Sequence, residues 1–316
     1  MKIGLHDADR DHMPKKTFPN LALMRISAYH KAIGCEVEWW QKDKIYDFVY
    51  SSKVFDFTPT NKNLPERTIR GGTGYGFFNE LPPETEACFP DYTIYPECNY
   101  AIGFLTRGCP KRCSHCIVPQ KEGGIRHYAR WQDVVRKDSK ILKLMDNNIL
   151  ACEHGISQLA ELAETDYIID MNQGMDADFF NERVADICAG IKWLEYIRFS
   201  CDSFQRVETV CKAINLLLER GVKEYKVFVY FLVKKDVNEA AERLEALKQR
   251  HSKITIYAQA ERQKDNHPTK AQLEFANRYV YSGAWRSQTW SIYNQRQGFP
   301  YVSLENDSMK INCGVT

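Results

Sequence analysis

The chain has 316 residues, enough for one large domain or two modest ones and for a core that needs no disulfide or metal staples. Hydrophobic residues at 44% and charged residues at 27% exclude a disordered chain or a coiled coil, and no apolar run reaches the roughly 20 residues that span a bilayer. With 43 basic against 41 acidic residues the net charge is +2, so no global field argues for nucleic acid and only a local basic patch stays open.

Residues 1–85 read as a small α/β domain. Strands are expected over 2–5, 37–40 and 47–51. A helix is expected over 20–33, with Leu21, Met24, Ala28 and Ala32 on one face and Gly34 as its stop. Residues 70–76 form a glycine-rich turn, and Leu81-Pro82-Pro83-Glu84 opens a linker. From Asn99 onward strand and helix signals alternate. Strands are expected over 101–106, 141–145, 167–171, 196–200, 225–231 and 253–257, and helices over 156–164, 178–189, 204–220 and 237–249. In the third helix Val207, Val210, Cys211, Ile214, Leu217 and Leu218 make one apolar face, closed by Gly221. Six such units predict an α/β fold with a parallel sheet, either an open doubly wound sheet or a partial barrel, with ligands at the C-terminal strand ends. One more helix follows over 270–281, then an aromatic, irregular tail.

The N-terminus meets Asp7 too early for a secretory signal, and the eleven cysteines are odd in number. A disulfide framework is therefore not expected, and a reducing, cytoplasmic setting is. Cys109, Cys113 and Cys116 fall within eight residues. Thiolates in so compact a loop bind zinc or an iron–sulfur cluster. A structural zinc site closes with four ligands, usually as two pairs, and no second pair exists here; His115 and His127 are the nearby fourth candidates. Three thiolates on a cubane leave one iron open.

Gly108-Cys109-x3-Cys113-x2-Cys116-Ile117-Val118-Pro119, following the first of six βα units, resembles the radical S-adenosylmethionine (SAM) superfamily. Its local wording is closest to the branch of methylthiotransferases and cobalamin-associated members. The resemblance covers about residues 99–265 and implies a partial (β/α)6 barrel. It also implies a [4Fe–4S] cluster on Cys109, Cys113 and Cys116, with SAM chelated at the open iron. An external donor would supply the electron that cleaves SAM to a 5′-deoxyadenosyl radical, which takes hydrogen from a substrate the sequence does not identify. By the same resemblance His115 packs on the adenine and Asn147 follows the strand that contacts the SAM amino group, although the usual Gly-Gly-Glu run is missing. Gln173 and Ser200 line the mouth, and Arg198 holds the SAM carboxylate or ribose through its planar fork. Cys152 and Cys201, near strand ends, are candidates for a hydrogen donor or fourth ligand, against the alternative that each is a small buried hydrophobe. Cys188 and Cys211 read as core, and no second cysteine cluster indicates an auxiliary centre.

The 1–85 segment stands where the cobalamin-binding domain stands in one radical SAM branch. Asp7-Ala8-Asp9-Arg10-Asp11-His12 lacks the matching glycine of the Asp-x-His-x2-Gly pattern, so a degenerate, cobalamin-free domain is favoured. Cys35, Cys88 and Cys98 are too widely spaced for the second cluster of a methylthiotransferase. In the extension over 266–316, Arg278, Tyr279, Tyr281, Trp285, Arg286, Trp290, Tyr293 and Arg296 interleave cations with aromatics. Such a segment can stack nucleic-acid bases, but a packed extension capping the barrel edge is the favoured reading. The functional alternatives are a radical SAM enzyme, with a cobalamin-dependent methyltransferase as its variant, and a non-catalytic zinc-binding module.

Overall fold

The computed structural model describes residues 1–14, 18–262 and 267–296. The first unit is a parallel sheet of β1 (Lys2–Asp7), β2 (Glu36–Trp39), β3 (Phe48–Ser52) and β4 (Ile69–Gly71), in the order β2-β1-β3-β4. β4 was not expected. It is three residues long, inside the glycine-rich turn, and carries no alternation to read. Gly72 follows it at φ +99, where an added Cβ would lie 2.4 Å from the Lys53 carbonyl oxygen, so only glycine fits this return.

The helix Leu21–Ala32 starts on an Asn20 side-chain cap to the Leu23 amide. Its buried residues correct the expected face. Met24 is buried, but with Leu23, Ile26, Ser27 and His30, while Ala28 is only half-buried and Ala32 is exposed. The reason is cover on two sides: besides the sheet, Asp91 accepts from Ser27 Oγ and donates its amide to the Met24 carbonyl. The same core takes in Ile94, Tyr95, Cys98 and Ile102, so packing runs past the boundary expected at residue 85.

The second unit holds β5 (Ala101–Gly103), β6 (Thr106–Arg107), β7 (Arg126–His127), β8 (Ile141–Leu144), β9 (Ile168–Met171), β10 (Lys192–Trp193), β11 (Ile197–Ser200), β12 (Val227–Val233) and β13 (Thr255–Ala260). Two parallel sheets, β5-β8-β9-β10 and β11-β12-β13, meet at a parallel bridge between Met175 and Phe199, where the Met175 amide donates to the Arg198 carbonyl at 2.7 Å. The six expected strands thus lie side by side in chain order. Among the described residues β5 and β13 are not paired with each other, so the array is open.

The strand expected over 101–106 is split. Phe104 and Leu105 leave the ladder because the buried Asp146 carboxylate takes the amides of Leu105 and Thr106. Thr106 and Arg107 then pair antiparallel with Arg126 and His127, bracketing the cysteine loop.

On the helical side Val227, Val229, Phe231 and Val233 of β12 join the core with Val207, Val210, Cys211, Ile214 and Leu217 of the helix Val207–Glu219. Leu218, expected on that face, is half-buried. Cys188 and Cys211 are buried core residues. The helix Lys270–Glu274 carries a Thr269/Gln272 capping box and continues as a π-helical turn over Phe275–Val280. It lies against β13, and Gln272 Nε2 donates to the Val233 carbonyl at 2.9 Å. Tyr279, Trp285, Trp290 and Tyr293 are 1–8% exposed, with Tyr279 and Tyr293 ring centroids 5.1 Å apart. These rings are core and offer no stacking platform. Arg278 and Tyr281 of the same segment are exposed, and the Arg296 side chain lies outside the described residues. Among the described residues no helix is long and apolar enough to cross a membrane.

One fully buried cation ties the later strands together. Arg243, on the helix Val237–Arg250, donates to the Cys201 carbonyl at 3.0 Å and to the Leu232 carbonyl at 2.6 Å, with its guanidinium 4.0 Å from the Phe231 ring centroid. Arg243→Leu strands both buried carbonyls and is expected to cost about 2–5 kcal/mol in urea unfolding. Arg243→Lys should recover less than half of that, because one ammonium cannot fork to both acceptors. A loss under about 1 kcal/mol for Arg243→Leu would show that the clamp contributes little.

Candidate functional site

The cysteine loop is held at its base by three local features. Gly108 adopts φ +84, and an added Cβ would lie 2.2 Å from the Gly124 carbonyl oxygen. Arg107 grips the buried Glu122 with both arms of its guanidinium at 2.8 Å each. The Cys109 amide donates to the Gly123 carbonyl at 3.2 Å. Within the loop the Cys116 amide donates to the Cys113 carbonyl at 3.0 Å. Cys109 is half-buried, while Cys113 and Cys116 are exposed residues. Although the residue as a whole is exposed, desolvation of its sulfur pushes the Cys116 thiol above its ordinary value, and negative charge on Cys113, Cys109 and Asp202 pushes the same way. Among the described residues no set of three His, Cys, Asp or Glu side chains is pre-arranged around a metal-sized point. The loop supplies the donor type, three thiols within eight residues, without a preformed cage.

Residues from the next three strand ends reach this loop. After β8, Asp146 is 1% exposed and also accepts from Thr106 Oγ1 at 2.7 Å. Asn147 Oδ1 accepts the Gly108 amide at 3.2 Å. Asn148 is 5% exposed, and its Nδ2 donates to Cys109 Sγ at 3.4 Å and to Asp176 Oδ2 at 3.3 Å. Its Oδ1 is buried without a hydrogen-bond partner. After β9, Asp176 is paired with Lys111 of the cysteine loop at 2.6 Å and with Arg206, beyond β11, at 2.5 Å. Burial pulls the Asp176 carboxyl upward, but the hydrogen bonds from Lys111 and Arg206 outweigh it and hold the group below the usual carboxylate range. Asp178 shares both cations. His115 Nε2 lies 3.6 Å from Asp202 Oδ2, joining the loop to the end of β11 a second time.

The expected site residues separate into two groups. His115 and Asn147 belong to this cluster of loops. Gln173 is exposed in the turn after β9, Ser200 is half-buried at the end of β11, and Cys152 is half-buried at the N-cap of the helix Glu153–Ala163. Two expectations need correction. Arg198 does not stand as an open cation at the mouth: it is 6% exposed, ion-paired with Asp170 of β9 and bonded to the Met171 carbonyl. Cys201 is fully buried in the helical-side core, where burial pushes its thiol up to about 12, and it sits as the small buried hydrophobe of the alternative reading rather than at the mouth. Lys111, Asn148, Asp176 and Arg206 escaped sequence reading. The only local signal was the polar runs that follow strands, Asp146-Asn147-Asn148 and Asn172-Gln173-Gly174-Met175-Asp176. Compared with known families and with curated proteins, the chain matches no family model and no curated protein.

Burial raises the Asp146 carboxyl to about 6, against the hydrogen bonds from Thr106 and Leu105 that favour its ionised form. The folded state thus binds the proton more tightly than the unfolded chain, whose carboxyl titrates near 4. The associated stability is complete below about pH 4 and is lost as pH rises through about 6, with a size on the order of 3 kcal/mol. Asp146→Asn removes this slope. Urea unfolding at several pH values between 4 and 7 should show the parent losing stability relative to the variant as pH rises, and a constant difference across the window would refute the assignment.

Proposed function

We propose that this chain is a radical SAM enzyme. The observation that carries the reading is the cysteine triplet on a loop beyond the first of six parallel strands that lie in chain order. The next strand ends send Asn147, Asn148, Asp176 and Arg206 toward that same loop. An open parallel array of this order is what a partial (β/α)6 barrel requires. Three cysteines on one short loop, with Cys109 Sγ beside Asn148 and its unpartnered buried acceptor, suit a cluster with a ligand at one iron. Cys109, Cys113 and Cys116 would hold a [4Fe–4S] cluster, which with SAM bound supplies the electron for cleavage to a 5′-deoxyadenosyl radical.

The remaining residues position and exclude. Asn147 spends its oxygen on Gly108, so the acceptor left for a ligand amine at this strand end is Asn148 Oδ1. Arg198 is neutralised by Asp170, and the cations that face the mouth are Lys111 and Arg206. Arg206, itself shared between Asp176 and Asp178 but less buried than Arg198, would be the cation within reach of a ligand carboxylate or ribose. His115, 3.6 Å from Asp202 beyond β11, would pack beside the adenine.

At the end of the first sheet Asp9 accepts from the amides of Val54 and Phe55 and from Thr58 Oγ1, and Asp7 from Tyr95 Oη. These loops bond to one another across the strand ends, which supports a cobalamin-free unit.

Anaerobic reconstitution with iron and sulfide should give about four of each per chain. Added SAM and a strong reductant should then release 5′-deoxyadenosine. Substituting Ala for Cys109, Cys113 and Cys116 together should abolish both. Stoichiometric iron and sulfide in the triple variant would overturn the assignment, and tight zinc with no iron uptake by the parent would establish the non-catalytic zinc module instead.

A further inference from the structure

We infer that Asn148 sets the reduction potential of the centre at Cys109 through an Nδ2–H···Sγ hydrogen bond whose direction is imposed by Asp176. The inference rests on the cluster reading of the cysteine triplet and deepens it. An amide can present either its oxygen or its nitrogen to a neighbour, and the surrounding network decides which. Asn148 faces two acceptors, Cys109 Sγ at 3.4 Å and Asp176 Oδ2 at 3.3 Å. Reversing the amide would set its oxygen against a carboxylate that Lys111 and Arg206 keep ionised. Asp176 therefore locks the NH2 group toward the sulfur.

The lock leaves Asn148 Oδ1 buried without a partner in the protein, as the acceptor assigned above to a ligand amine. A residue kept only to fill space would need neither polar group, because Leu has the same branched shape at Cγ and no polar atoms. The N–H···S bond withdraws electron density from the ligand thiolate, which stabilises the more negative, reduced state and raises the potential. Asn148 is accordingly a positioning and tuning residue. It acts through Cys109 and takes no part in bond making.

The test uses the full chain, reconstituted anaerobically with iron and sulfide, as parent, N148L and N148D. Iron and sulfide are assayed first, and the midpoint potential follows from a redox titration monitored by electron paramagnetic resonance. N148L should load as the parent does and shift the midpoint downward by about a tenfold change in the reduction equilibrium, ~59 mV for one electron. N148D, isosteric with Asn, replaces the donor by a carboxylate and should fall further; it carries the test alone if N148L does not fold. An unchanged or raised midpoint in a loaded variant overturns the proposal. So does loss of the cluster from both folded variants while the parent loads, since Asn148 would then be a scaffold of the loop. A parent that takes up no iron and sulfide overturns the cluster reading itself, an outcome distinct from the others.

Discussion

Four loops of the second unit meet on one carboxylate. Asp176 is nine-tenths buried, and an isolated charge so placed would be costly. It is tolerated because Lys111 and Arg206 approach it from the cysteine loop and from beyond β11, and because Asn148 donates to it from beyond β8. The requirement is mutual: removing any one partner leaves the others less well compensated. The open ends of β8, β9 and β11 and the loop beyond β6 are thereby held at one place, although each loop by itself is short and irregular. The cysteine triplet owes its surroundings to this network.

Beneath that network Asp146 makes the chain leave the sheet. A continuous strand over 101–106 would have carried the cysteines straight on from β5. By taking the Leu105 and Thr106 amides, Asp146 substitutes for a ladder partner at the point of departure. The antiparallel pairing of Thr106 with His127 then turns the loop back on itself. Gly108 lets the backbone pass within contact of Gly124, closing the neck of the loop.

What the sequence disclosed follows the range of the physical signal. Alternation and helical period are local, so the six parallel strands, the helices between them and the apolar face of the helix Val207–Glu219 were legible. β4, β6, β7 and β10 were not, because two or three residues carry no period. The cysteine spacing was legible for the same local reason. The partners of Asp176 and Asn148 are distant in the chain, 28 positions for Asn148–Asp176, 39 for Asn148–Cys109 and farther still for Lys111–Asp176, and no window of sequence shows them. Arg198 was misjudged because its neutralising partner, Asp170, sits on the neighbouring strand. Cys201 was misjudged because side chains alternate: it continues the core face of Ile197 and Phe199, while Arg198 faces the other way.

The base of the cysteine loop is also tied to the first unit. Arg25, on the helix Leu21–Ala32, pairs with Glu86 at 2.6 Å and donates to Tyr128 Oη, and Tyr128 in turn donates to Glu86. Arg107 lies 3.6 Å from the same Glu86 while it forks to Glu122, and its guanidinium packs over the Phe104 and Tyr128 rings. Arg107 is thus shared between a carboxylate inside the loop and one in the segment that links the units. A fork shared in this way fixes the neck of the loop from both sides, and neither the first sheet nor the loop can shift without breaking a half-buried charged contact. The order of the loop is therefore a property of both units together, with Asp176 fixing its outer face and Glu86 its base.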